Sequence, residues 1–164
     1  MKTPLLCFLL FASSITFAQN SKITQLLNSQ LQKEYNKFFD EHDQSIFKII
    51  EPFRIDNKGV LTVSISWDGN ASGGKTKYLR KVPIDKIIKL DKDHNVIFVT
   101  EADDVVEIKT EYDSKGNIVR ESTQKSHLFF TEINREKHNI KFRDQVIKAF
   151  KKAGHTITSE YWWD

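Results

Sequence analysis

Residues 69–76 read G-N-A-S-G-G-K-T, which satisfies the phosphate-binding loop pattern of glycine, four residues, then Gly-Lys-Ser/Thr. In such a loop, backbone N–H groups and the first turn of a following helix point at phosphate oxygens, and the lysine and hydroxyl complete the cradle. The strand that must precede the loop is present in Leu61–Trp67. The helix that must follow is not. Residues 77–83, K-Y-L-R-K-V-P, carry no apolar stripe at helical spacing, and a proline disfavours helix at the residue before it. No convincing acidic strand end for magnesium follows either, the nearest being N-V-I-F-V-T-E-A-D-D over 95–104. The stretch therefore reads as a glycine-rich, mobile connection between two strands. It also spells Asn70-Ala71-Ser72, an acceptor for N-glycosylation in a eukaryotic secretory pathway.

Other groupings with chemical character are weaker. Asp91-Lys92-Asp93-His94-Asn95 supplies oxygen ligands at positions one, three and five of a calcium loop. Position six is Val96 instead of glycine, and position twelve is Ala102, with Glu101 one residue early. A turn is the better reading, with Glu101, Asp103 and Asp104 as a second acidic group nearby in sequence. Asp40-Glu41-His42-Asp43 places four ligand types in one turn. Consecutive residues on a helix end diverge, so these read as a solvated terminus. The remaining histidines, at 94, 127, 138 and 155, fall at no ligand spacing, and there is neither a G-x-S-x-G elbow nor an S-x-x-K pair. The single cysteine is Cys7. These residues imply no metal, no cofactor and no catalytic constellation. What remains is Tyr161-Trp162-Trp163, which puts two of the three tryptophans at the end of the chain. Such a cluster either locks a tail onto the domain or presents a platform to a carbohydrate, a partner or a membrane interface. Tyr161, Trp162 and Trp163 are the candidate contact residues.

The ends and the periodicities say what must position them. Met1-Lys2, the apolar run Leu5–Phe11 and the Thr16-Phe17-Ala18 exit have the form of a secretory signal peptide with a cut after Ala18. Its apolar core is shorter than the roughly 20 residues of a membrane span. Residues 19–164 then form one domain, without a disulfide and held by its core alone. Lys and Arg number 25 against 22 acids, for a net charge of +3. That near-balance gives no footprint for nucleic acid. The cluster Lys148, Lys151 and Lys152 reads as a solvated helix end.

Ile23, Leu26, Leu27, Leu31, Tyr35, Phe38 and Phe39 recur at helical spacing, with Ser21 as the expected N-cap. Leu61, Val63, Ile65 and Trp67 alternate with Thr62, Ser64 and Ser66, which predicts a strand with its hydroxyl face toward water. Val106–Tyr112 alternates likewise. Val96–Val99 is apolar throughout, the pattern of a strand covered on both faces. Tyr78–Val82, Ile118–Thr123 and Leu128–Ile133 are further strands, and Ile84–Leu90 is ambiguous after Pro83. I-D-N-K-G-V-L (55–61), L-D-K-D-H-N-V-I (90–97) and Y-D-S-K-G-N-I-V (112–119) read as tight turns between antiparallel strands. A last helix runs from Asn139 as N-cap through Ile140, Phe142, Val146, Ala149, Phe150 and Ala153 to Gly154, and Thr156–Trp162 reads as a short final strand.

The segment Y-D-S-K-G-N-I-V resembles one unit of the tyrosine-aspartate repeats of large secreted proteins, and a lone unit implies only a hairpin. The expected class is α+β: a mostly antiparallel sheet of about seven strands, strongly curved or barrel-like, flanked by an N-terminal and a C-terminal helix. Seven strands followed by a helix is similar in order to pleckstrin-homology-like barrels. The expected function is an exported, non-catalytic binding or interaction domain, secreted or in a bacterial periplasm, for a small molecule, a glycan or an exported protein. A small hydrolase with dispersed catalytic residues and an inhibitor or immunity-type partner are the alternatives.

Overall fold

The computed structural model of the chain describes residues 4–38 and 46–163, with the backbone alone for residues 4–19 and 38. Helix α1 runs Pro4–Phe38 and helix α2 runs Ile140–Lys152. Nine strands lie between and after them: β1 (Phe47–Ile55), β2 (Val60–Asp68), β3 (Gly73–Pro83), β4 (Ile87–Asp93), β5 (Asn95–Thr100), β6 (Val105–Asp113), β7 (Ile118–Ser126), β8 (Leu128–Phe130) and β9 (Trp162–Trp163). A single 3-10 turn, Ile84–Lys86, follows Pro83 and resolves the ambiguous stretch.

The strands form two sheets instead of one. The larger has the order β1-β2-β3-β6-β7, antiparallel throughout, and the smaller has the order β8-β5-β4-β9. Strands β1 and β7 are each paired on one side only, so the larger sheet is open and no barrel closes. The smaller sheet is antiparallel except for β9, which joins β4 in parallel. The stripe Ile23, Leu27 and Leu31 of α1 meets Phe142, Val146, Ala149 and Phe150 of α2 in the same core as Leu61, Val63 and Ile65 of β2 and Leu90, Val96 and Phe98 of the smaller sheet. Apart from the small Ala149, each such side chain, fully buried, contributes on the order of 1.5–3 kcal/mol.

Several expectations change. Ser21 is not a cap, because α1 continues back to Pro4; its carbonyl accepts a bond from the Thr24 hydroxyl inside the helix. Phe39 and Asp40–Asp43 lie outside the described residues. The hydroxyl face of β2 is not wet: Thr62, Ser64 and Ser66 are 2%, 0% and 1% exposed. Strand β2 lies between β1 and β3, with Glu51 and Leu79 directly opposite Ser64. Strand β5 is fully buried on one face only, where Val96, Phe98 and Thr100 point, while Ile97 and Val99 on the other face are partly buried.

The glycine-rich stretch is a pinned turn, not a mobile loop. The Asn70 side-chain oxygen accepts the amides of Ser72 and Gly74, both at 3.0 Å, and its amide donates to the carbonyls of Lys75 and Tyr112. Asp56 accepts the amides of Lys58 and Val60, and Asp113 those of Lys115 and Asn117, in the same positions. In all three, the glycine three residues on has positive φ and donates to the carbonyl of the first residue: Gly59 (76°), Gly73 (71°) and Gly116 (85°). One turn geometry thus makes every hairpin of the larger sheet. Gly74, the second glycine of the stretch, is required for a different reason. A Cβ there would run into the backbone carbonyls of Tyr112 and Asp113. Lys75 lies over the Tyr112 ring at 5.2 Å, and a strand, not a helix, follows it. No phosphate cradle forms.

Candidate functional site on the smaller sheet

The third Asp-rich segment, Asp91–Asn95, departs from the shared turn. Its reversal is made at His94, with φ of 58°, and Asp91 is turned to the chain terminus instead. The Asp91 carboxylate accepts the amides of Glu160 at 2.8 Å and Tyr161 at 3.2 Å. Lys92 N–H donates to the Tyr161 carbonyl, Leu90 N–H to that of Thr158, and Thr158 N–H to that of Ile88. Lys89 reaches Glu160 at 2.7 Å, and that bond holds the lysine above its ordinary pKa. These contacts lay the last residues along β4 as a parallel edge strand, with Trp162 opposite Lys92 and Trp163 opposite Asp93.

Strand alternation then divides the aromatic triplet. Trp162 turns inward. Its indole N–H donates to the Asn139 side-chain oxygen at 3.1 Å, and the Arg143 guanidinium lies 5.8 Å from its ring. Tyr161 and Trp163 turn outward, 59% and 69% exposed. They flank a pocket of about 340 Å³ whose lining includes Ile97, Val99, Leu128, Asp91 and Asp93. The outward residues of β5 and β8 form its apolar side, so the unbroken run Val96–Val99 serves the core on one face and this pocket on the other.

The cation nearest in sequence is directed away from the pocket. Lys92 is 2% exposed, and its ammonium donates to the Glu136 carbonyl at 2.8 Å and toward the Asn139 side chain at 3.4 Å. Asn139, the expected N-cap, does begin α2. Its side chain makes no cap and is shared between Lys92 and Trp162. Glu34, in the stripe of α1 and 1% exposed, fixes the same segment: it accepts from Gln30 and from the amides of Asn134 and Arg135, each within 2.9 Å. Glu34 and Lys92 are the residues that sequence patterning misses, since each looks like an ordinary surface charge.

Two larger hollows lie elsewhere on the molecule. A cleft of about 610 Å³ contains Asp56, Asp85 and His155. Asp56 spends one oxygen on its own turn, which lowers its pKa through the Val60 amide, burial opposing. Among the described residues no hydrogen bond or ion pair joins His155 to Asp56 or Asp85. A groove of about 730 Å³ between α1 and α2 is rimmed by the Lys33–Glu136 pair. Lys148, Lys151 and Lys152 are exposed at the end of α2. Among the described residues no three His, Cys, Asp or Glu side chains stand together as a metal site, and no helix is long and apolar enough to cross a membrane. No family model, curated protein or solved structure matches the chain.

Proposed function

We propose that the chain is an exported, non-catalytic binding module that contacts its ligand through the outer face of the smaller sheet, at Tyr161 and Trp163. The observation that carries this reading is the division of the aromatic triplet: Trp162 is hydrogen-bonded into the fold, while its two neighbours stand exposed around a pocket with an aliphatic side. Folding needs only the first of these. Two large rings left in water beside Ile97, Val99 and Leu128 form the kind of exposed apolar patch that marks a binding surface. The leader-like residues 1–18 support delivery to a periplasm or to the outside of the cell.

The hydrolase alternative has less support in the geometry. A hydrolase needs a nucleophile or water-activating group held by a second group, and among the described residues no hydrogen bond or ion pair joins two such side chains in the pocket or in the cleft beside His155. Titrating a library of water-soluble fragments into labelled protein tests the proposal by NMR. Hits that shift the Trp163 indole N–H and the Ile97, Val99 and Leu128 methyls support it. Hits gathered at Asp56, Asp85 and His155, with Trp163 unmoved, would overturn it.

A further inference from the structure

The pocket between Tyr161 and Trp163 is anionic as well as aromatic, and that combination selects a ligand class. Asp91 spends one carboxylate oxygen on the amides of Glu160 and Tyr161, and among the described residues its other oxygen makes no hydrogen bond. Asp93, opposite Trp163 in register, is exposed, with no hydrogen bond or ion pair among the described residues. Of the nearby cations, Lys89 is neutralised by Glu160 and Lys92 is buried toward Glu136 and Asn139. Among the described residues, Asp91, Asp93 and Glu160 thus stand around a single cation, Lys89, which feels the Asp91 charge as well as that of Glu160, and this side of the pocket keeps a net negative charge.

Three ligand classes can be weighed against that field. An anion is repelled by both carboxylates. A neutral sugar can stack on the rings, but covering Asp91 and Asp93 removes water from their charge without compensating it. A cation with apolar substituents is attracted by the carboxylates and by the negative faces of the rings. Its methyl or methylene groups meet Ile97, Val99 and Leu128. A pocket of about 340 Å³ is at the small end for ligand sites, which suits a compact head.

Granting the binding role proposed above, we infer that the Tyr161–Trp163 pocket binds an alkylated ammonium group of the choline type. Such a head is met either free or on a zwitterionic lipid. The full chain, isotope-labelled, is titrated with choline and with 3,3-dimethyl-1-butanol, its uncharged carbon isostere, following the Trp163 indole N–H. Choline is expected to saturate with an affinity roughly tenfold above that of the isostere. Asp93→Asn should weaken choline several-fold and leave the isostere unchanged, and Trp163→Ala, followed on the Ile97, Val99 and Leu128 methyls, should abolish the response to both.

Equal affinity for the two compounds overturns the cation inference and leaves the binding surface standing. So does silence toward choline while other fragments still shift Trp163. Silence toward every compound removes both. Co-sedimentation with phosphatidylcholine vesicles, but not with phosphatidylglycerol vesicles, assigns the head to a lipid. Choline binding without co-sedimentation assigns it to the free compound.

Discussion

A residue's identity settles its role only together with its hydrogen bonds, and the stretch G-N-A-S-G-G-K-T illustrates this. Of the four residues that match a phosphate loop, Gly74 and Lys75 are given unequal weight by the structure. Gly74 stands where a Cβ would meet two backbone carbonyls, which cannot yield as a flexible side chain can. Lys75 makes one exposed contact over Tyr112. Gly74→Ala is therefore expected to cost about 3 kcal/mol, and Lys75→Ala about 0.5–1 kcal/mol, measured as shifts in urea midpoint. A phosphate loop predicts the reverse pattern in a calorimetric ATP titration: Lys75→Ala would abolish binding that the parent shows. The turn was within reach of sequence reasoning, since Asn70 stands three residues before Gly73 as Asp56 does before Gly59 and Asp113 before Gly116. The lysine-bearing motif draws the eye from that match. Glu34 was not within reach. Its partners Asn134 and Arg135 lie about 100 residues away, and no local spacing distinguishes a carboxylate that will fix a distant loop from one that meets water.

Among the elements, β9 links fold and function, because alternation gives adjacent tryptophans opposite tasks. Trp162→Ala removes a half-buried ring, its bond to Asn139 and its contact with Arg143, and should cost about 2–3 kcal/mol. Trp163→Ala should stay within about 0.5 kcal/mol. Thermal melting of the two variants reads the difference, and equal losses would show that the whole tail serves stability alone. The segment between β8 and α2 has its own control. Lys33, then Gln30, hold the Glu136 carboxyl below the usual glutamate range, with burial opposing. A carboxyl whose folded pKa is depressed contributes fully above its unfolded value, about 4.3. That contribution is lost as pH falls through the folded value. The melting temperature of the parent should thus fall more steeply between about pH 5 and 3 than that of Glu136→Gln. The variant should keep part of the slope, because Asp56 and Asp113 are also held low, by bonds within their own turns. Sequence periodicity found both helices and most strands here because their stripes are local. It points to a short final strand over Thr156–Trp162 but could not find the partner of that strand, because β9 pairs with β4 some 70 positions earlier.

At the scale of the molecule, the question is what joins two separate sheets into one body, and Arg80 is a large part of the answer. It rises from β3 of the larger sheet and reaches the segment that leaves β8 of the smaller one. It bonds Glu107 at 2.6 Å, the Phe130 carbonyl at 3.0 Å and Glu132 at 2.5 Å, with its side chain 9% exposed. Burial opposes its charge, and Glu132 with Glu107 more than offsets that, holding the guanidinium above its ordinary pKa. Glu132 itself sits at φ of 63°, a conformation that costs a non-glycine residue about 1 kcal/mol; the ion pair opposes that strain. None of this was visible in the alternation of K-Y-L-R-K-V-P, where Arg80 occupies a place in the strand like any solvated cation. A planar fork can serve three acceptors at once, and an ammonium cannot match that geometry. Arg80→Ala should therefore cost about 3–5 kcal/mol, chiefly because Glu132 and Glu107 are left partly buried without a counter-charge. Arg80→Lys should recover less than half of that loss. The triple variant Arg80→Met, Glu107→Gln, Glu132→Gln removes the stranded charges and should lie closer to the parent than Arg80→Ala does. Urea unfolding of the three variants distinguishes a charge strut from simple packing: if Arg80→Ala and the triple variant are equally destabilised, the guanidinium contributes bulk, and the sheets are held together by their shared apolar core.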